Sequence, residues 1–379
     1  MLKYSQPFPL TPALSLRERE NGSQHFEQPS ALDFSPERTA FPPLPEGEGR
    51  GEGEGHALAR TVRILCWFLL FLLTSAVRAA EPVADKPTVF VLVGAAGEEE
   101  FGKQFAEAAA KWEKVATQAQ AKLVTIGRST ETNDLARFKV ALEAEAKDGA
   151  GEVWLVLLGH GTFDGKEARF NLRGPDLGAG ELAEWLKPFK RPVAVVNCAS
   201  ASGPFINKLA APGRIVVTAT RSGQEVNFTR FGGHFADAIS TAEADLDKDG
   251  QTSLLEAYLV AANRVAEFYN TEGRLATEHA LLDDNGDGLG TPPDWFRGVR
   301  AVKKAKEGAS ADGLRAHQFV LVRSEQERKL PPAVRAKRDE LELAIGKLRD
   351  DKSALPEPEY YKLLEPMLLD LARLYQSAK

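Results

Sequence analysis

From Thr88 onward, apolar runs of strand length alternate with segments of helical periodicity, and this alternation constrains the fold more than any other feature of the chain. The runs are TVFVLVGAA (88–96), KLVTIG (122–127), EVWLVLLGHG (152–161), PVAVVNCAS (192–200) and RIVVTATRSG (214–223). Helical patterns fall at 98–120, 133–147 and 180–189, with a short one near Phe205 and a hairpin at ARFNLRG. Strands nearly continuous in Val, Ile and Leu have no polar face to turn to water. Separated by helices, they predict a mainly parallel sheet covered on both sides, a three-layer α/β/α sandwich. Ligands of such sheets bind beyond the carboxyl ends of the strands. The residues that end the strands are therefore the ones to inspect.

Two of the five runs end in residues capable of chemistry: VWLVLLG stops at His160 and Gly161, and VAVVN stops at Cys198. On neighbouring strands, both side chains would leave the sheet at one edge. A thiol needs a nearby imidazole to become a thiolate at neutral pH, and the same imidazole can protonate a leaving amine. The amides of Gly161 and Cys198 would then form a two-donor oxyanion hole, with roughly 3 kcal/mol expected per donor. The other use of a lone cysteine is as a small apolar residue in the core.

A hydrophobic block ending in His-Gly, followed by one ending in Cys, resembles the caspase-like cysteine peptidases, the legumain family most closely. The stretch RIVVTATRSGQEVNFTRFGGHFADAI extends the resemblance, which covers about 88–269. It implies a cysteine endopeptidase that cleaves a peptide or protein substrate through a thioester acyl-enzyme, with Cys198 as nucleophile and His160 as general acid and base. Two departures stand out. Legumains carry an acidic residue two positions before the cysteine, where this chain has Val196, with Asn197 next; and ASASG replaces the family's usual Glu-Ser-Gly-Ser. Arg221, Ser222 and Glu225 follow the last run as candidates for substrate contacts, Arg221 suiting an acidic side chain, or else they only close the loop. The alternative reading is a non-catalytic scaffold or interaction module of the same fold.

Helical patterns near 233–243 and over 253–269 flank DLDKDGQTSLLE (245–256), which fits the twelve-residue EF-hand template. Asp245, Asp247 and Asp249 offer carboxylates, Gly250 the sharp turn, Gln251 its backbone carbonyl, Ser253 the ninth position and Glu256 the closing bidentate carboxylate. Calcium in a structural role is the expected cofactor. DDNGDGLGTPPD (283–294) repeats the pattern as a second site, with Asp283, Asn285, Asp287 and Asp294. The tail from 331 to 379 reads as two charged amphipathic helices broken at Pro356 and Pro358, a hairpin that docks on the main domain, a second subunit or a protein partner. The expected domain organisation is a peptidase-type domain over 80–270, a connecting segment with the second acidic loop over 271–330, and the hairpin.

Residues 64–73, ILCWFLLFLL, have about half the length of a membrane span. With Arg60 and Arg63 before them and TSAVRAAEP after, they read as a signal peptide over 61–79, cleaved near Ala80. Upstream, LTPALSLRE (10–18) and LPEGEGRGE (44–52) can be encoded by opposite strands of one palindromic DNA repeat, so 1–60 is expected to be untranslated or a disordered leader. The exported chain, periplasmic or extracellular, would keep Cys198 as its one cysteine and form no internal disulfide. With 48 Lys and Arg against 54 Asp and Glu, it has no basic excess for nucleic acid, and no membrane contact is expected beyond the signal peptide. His234 sits in a packing pattern, and His279 and His317 stand alone, so no zinc set is expected. GAAGEEE carries acid where a phosphate loop needs amides and a lysine, which argues against nucleotides.

Overall fold

The computed structural model describes residues 86–306 and 309–377; the leader and signal-peptide readings lie outside them. The central sheet contains β1 (Thr88–Val93), β2 (Lys122–Ile126), β3 (Val153–Leu158), β7 (Val193–Asn197), β8 (Arg214–Thr218) and β9 (Leu281–Asp283). Their order is β2-β1-β3-β7-β8-β9, and all pairs are parallel except the last. Between β3 and β7 the chain makes a small antiparallel sheet of β4 (Gly161–Phe163), β5 (Ala168–Phe170) and β6 (Leu177–Gly178). The hairpin expected at ARFNLRG is thus the middle of a three-stranded sheet.

Strand alternation divides the core in two. Val89, Val91, Trp154, Val156, Leu158, Ala194, Val196 and Cys198 join one cluster, with α1 (Glu99–Gln118), α5 (Phe231–Ile239) and α6 (Leu254–Thr271) packed over it. Phe90, Leu92, Leu155, Leu157, Val193 and Val195 join the other, under α2 (Asp134–Ala144), α3 (Ala179–Leu186) and α4 (Pro204–Leu209). Helix α1 buries Phe105, Ala108, Ala109, Trp112, Val115 and Ala116, the three-to-four spacing of one apolar stripe. Burying each large side chain contributes about 1.5–3 kcal/mol, so the two faces together drive the fold. One charged cluster is also buried. Glu145 accepts from Arg191 at 2.6 Å, Thr88 at 2.9 Å and Lys122 at 2.7 Å, tying the start of β1 to the end of α2.

Edge strand β9 comes from the segment expected only to connect domains, so part of 271–330 belongs to the sheet. Beyond it lie a short hairpin, β10 (Phe296–Arg297) with β11 (Arg300–Ala301), and helices α7 (Leu314–Gln318) and α8 (Glu325–Lys329). The tail forms α9 (Pro332–Asp350) and α10 (Glu357–Ser377), packed around Leu341, Ile345, Tyr360, Leu364 and Leu371. Pro356 precedes α10, and Pro358 and Pro366 lie inside it, so the chain breaks once rather than at each proline. Helix α9 docks on α7, where the Gln318 amide donates to the Asp339 carbonyl at 3.0 Å. Among the described residues, no helix is long and apolar enough to cross a membrane.

Candidate active site and acidic loops

His160 follows β3 and is half-buried among three rings: Phe101 at 4.9 Å and Phe105 at 5.2 Å, both from α1, and Phe228 at 6.1 Å between centroids. Its Nε2 lies 3.2 Å from the Ala96 carbonyl oxygen. A carbonyl only accepts, so Nε2 carries the proton and Nδ1 is left as the basic nitrogen.

Cys198 follows β7, and the pairing of Leu157 with Asn197 brings it level with Leu158. Its side chain turns into the α1/α5 face and is 4% exposed. The nearest polar partner of Sγ is the Val196 carbonyl at 3.9 Å. Burial pushes the thiol pKa far up, and the charge of Glu278 adds to the effect. A thiol held this way is neutral and weakly nucleophilic. Gly232 of α5 presses on it, since a Cβ there would meet the Cys198 Cβ at 2.7 Å and Sγ at 3.3 Å. His160 and Cys198 share one sheet edge, and among the described residues no hydrogen bond joins their side chains.

The two amides expected to form an oxyanion hole each have a partner here. The Cys198 amide donates to the Leu157 carbonyl at 2.9 Å, continuing the parallel ladder. The Gly161 amide donates to Ser200 Oγ at 3.1 Å, and that hydroxyl also reaches the Gly161 carbonyl at 3.1 Å. Both donors are therefore already engaged. Gly161 is packed against Ser200, Arg169 and Ala199: a Cβ there would meet the Ser200 carbonyl oxygen at 2.3 Å, the Arg169 carbonyl oxygen at 3.0 Å and the Ala199 Cβ at 3.3 Å. A methyl group thus stands beside the His-Gly end of β3, one residue after the cysteine.

In the loop after β8, the Glu225 carboxylate receives the Arg221 amide at 3.0 Å and the Arg221 guanidinium at 3.2 Å. It also lies 2.6 Å from His279 Nδ1, so His279 does not stand alone. The Ser222 carbonyl accepts from Thr220 Oγ1 at 3.2 Å. The loop is closed by its own polar groups, with Arg221 exposed.

In the first acidic loop, Asp245, Asp247 and Asp249 bring ligand oxygens within 4.8 Å of one another, the only such group of three among the described residues. Asp245 accepts the Gly250 amide at 3.0 Å, and Gly250 has φ 86°, a turn suited to glycine. Burial, then the charge of Asp247, raises Asp249 to about 6. An excess of buried negative charge fits a cation. Glu256 departs from the expected role. One oxygen accepts the Leu246 amide at 2.7 Å and the other the Ser253 amide at 2.8 Å, and with Ser253 Oγ it forms the capping box that starts α6. Gln251 accepts the Ser324 amide through its side chain. His317, from α7, bonds Asp247 at 3.0 Å, a second histidine that is not alone.

The second loop folds on itself. Asp283 accepts the amides of Gly286 and Gly288 at 2.8 Å each, Asn285 that of Asp287 and Asp287 that of Leu289. Asp294 is exposed on a 3-10 turn, and the acids of this loop do not gather as those of the first do. Two unforeseen carboxylates order the region. Asp284 accepts the amides of Gly313 and Ala316 at the start of α7, and Asp312 accepts those of Asp284 and Asn285. Burial and the charge of Asp284 push Asp312 up to about 8.

No protein-family profile and no curated protein sequence matches the chain. Solved structures similar to it include a protein from Geobacter sulfurreducens, at 15% identity and a TM-score of 0.31, over 47% of this chain and 89% of that one. The Drosophila initiator caspase Dronc follows at 10% identity and a TM-score of 0.35, over 53% and 80%. Caspase-1 from Spodoptera frugiperda has 9% identity and a TM-score of 0.35, over 53% and 86%. At these values the neighbours add no argument to the one made from strand order and burial, which define a mixed α/β protein with a mainly parallel central sheet.

Proposed function

We propose that this chain is a non-catalytic interaction module on a caspase-like α/β/α sandwich, one that keeps the shape of a peptidase without its nucleophile. The observation that carries this reading is the orientation of Cys198, whose thiol packs under Gly232 and bonds Val196 while Ala199 and Ser200 take the position against Gly161. A buried neutral thiol without an imidazole partner has no route to a thiolate. The leader over 61–79 makes it an exported protein, and calcium held by Asp245, Asp247 and Asp249 would rigidify the entry to α6. The docked tail offers a surface for a protein partner.

One observation favours a second reading, a cysteine endopeptidase caught with its thiol turned inward. The Ala96 carbonyl fixes the tautomer that leaves His160 Nδ1 free to accept a proton. In that case the Cys198 thiolate would attack a peptide carbonyl, His160 would protonate the leaving amine, and water would hydrolyse the thioester.

The test is the purified exported chain with a fluorogenic peptide library, with and without calcium, beside Cys198→Ala and His160→Ala. Equal signals from all three are expected. Cleavage that both substitutions abolish would overturn the non-catalytic reading and establish the endopeptidase.

A further inference from the structure

A cavity of about 380 Å³ lies at the carboxyl ends of β3 and β7, between α1 and α5. Its walls include Phe105, Leu158, Cys198, Phe228, Arg230 and Phe268; His160 is not among them. The volume is in the range of small-ligand pockets. Its one unusual member is Arg230. The guanidinium lies 3.9 Å from the Phe268 ring centroid and 5.9 Å from that of Phe228. Its Nε is buried without a hydrogen-bond partner; the carboxylate of Glu278 acts on the guanidinium electrostatically, with no hydrogen bond between the two side chains among the described residues.

The acids nearby are committed elsewhere. Asp237 pairs with Lys111 at 2.5 Å. Glu278 spends its oxygens on the backbone amides of Arg230 and Phe231 and on the Tyr269 hydroxyl. Burial, then the charge of Arg264, keeps His234 toward its neutral form. Glu278 thus balances the charge of Arg230 at longer range without accepting from its guanidinium, whose buried Nε–H stays unused beside aromatic walls. Arg230 is half-buried, and its cation–π contacts leave the buried Nε–H without an acceptor, whereas a carboxylate can accept two parallel N–H bonds from the guanidinium.

We propose that this cavity binds a ligand with one carboxylate on an apolar body, the carboxylate paired with Arg230 and the body set among Phe105, Leu158 and Phe228. A free carboxylic acid and the C-terminal carboxylate of a peptide share this chemistry. The proposal stands apart from the reading of Cys198 as catalytic or not, because it concerns binding alone.

The experiment is calorimetric titration of the full chain with 3-phenylpropionate and with a tetrapeptide ending in a free phenylalanine carboxylate, each beside its amide. At least one acid is expected to bind tenfold or more tightly than its amide, and Arg230→Met to remove that preference. Preference for the small acid alone identifies a free acid as the ligand class; preference for the peptide acid identifies a chain terminus. Gly233→Val is the second variant. A Cβ at Gly233 meets no heavy atom within 4 Å, so the substitution is tolerated while crowding the lining, and binding is expected to fall tenfold with the fold intact. Equal affinity for acids and amides, no binding by either acid, or full binding by a folded Arg230→Met protein would each overturn the proposal.

Discussion

Gly232 and Gly233 are adjacent on α5, and the same substitution has opposite expected outcomes at the two. An alanine at Gly232 puts its Cβ 2.7 Å from the Cys198 Cβ, 3.3 Å from its Sγ and 3.5 Å from Leu158 Cδ2. At Gly233 the new Cβ meets nothing within 4 Å. Both changes gain helix propensity, about 1 kcal/mol for glycine to alanine in a helix interior. At Gly232 this gain is opposed by overpacking of about 1–3 kcal/mol, because the obstacle is a Cβ next to the backbone and cannot swing away. Gly232→Ala should therefore range from neutral to about 2 kcal/mol less stable, and Gly233→Ala should be up to about 1 kcal/mol more stable. The assay is urea unfolding, comparing midpoints at a common slope. In a Cys198→Gly background, which removes both cysteine contacts, the gap between the two alanines should shrink to about 0.5 kcal/mol or less. Equal effects of the two alanines in the wild-type chain would refute the packing of Cys198 under α5, and with it the main support for a silent thiol.

Four further outcomes follow from the geometry. Arg191→Met removes one of the three donors to the Glu145 carboxylate, leaving Lys122 and Thr88, and should cost about 1.5–3 kcal/mol in chemical denaturation; a loss under about 0.5 kcal/mol would contradict the buried pair. Burial alone would raise the Glu145 carboxyl, but bonds from Lys122, Thr88 and Arg191 prevail and hold it below its ordinary value. Its stabilisation is thus complete above the unfolded pKa of 4.5 and lost as pH falls through the lower folded value, so acid titration of stability should be shallower in Arg191→Met. Ser200→Ala removes both bonds to Gly161 and should cost about 1–2 kcal/mol without creating peptidase activity, which parallel unfolding and peptide-cleavage assays would check. Calcium at 100 times its dissociation constant should stabilise the chain by about 2.7 kcal/mol and do nothing for Asp249→Asn; thermal unfolding with equal gains from magnesium, or none from calcium, would count against a calcium loop.

The sheet was legible because its strands are buried on both faces and so are written as unbroken apolar runs. Edge strand β9 was not, because three residues, Leu281 to Asp283, run straight into an acidic loop and carry no periodicity of their own. The strand-end rule found His160 and Cys198, but strand ends fix only which edge a residue reaches. Which way a side chain turns depends on a single step of alternation, and that step sends Cys198 toward α5 and sets Ala199 against Gly161. The pairing of His279 with Glu225 joins residues 54 positions apart, and that of His317 with Asp247 joins residues 70 apart. No local pattern announces either. Arg230 was hidden for the same reason, since its importance lies in a buried Nε–H left without an acceptor after folding.

The turn that follows Cys198 decides how firmly the thiol is held. The Ala199 amide donates to the Asn197 side chain at 3.0 Å, Ser200 bonds Gly161 twice, the Ala201 amide donates to the Glu225 carbonyl at 2.8 Å, and the Gly203 amide donates to Thr220 Oγ1 at 3.1 Å. Ala201 takes φ 53°, a left-handed conformation that costs about 1–2 kcal/mol for a residue with a Cβ. Such a residue persists only where its surroundings over-determine it, and this bond set does so. Turning the thiol toward His160 would open its contact with Gly232 while the following turn is held by these bonds. These bonds fix the turn against the ends of β4 and β8, and Cys198 enters it with its side chain packed against α5.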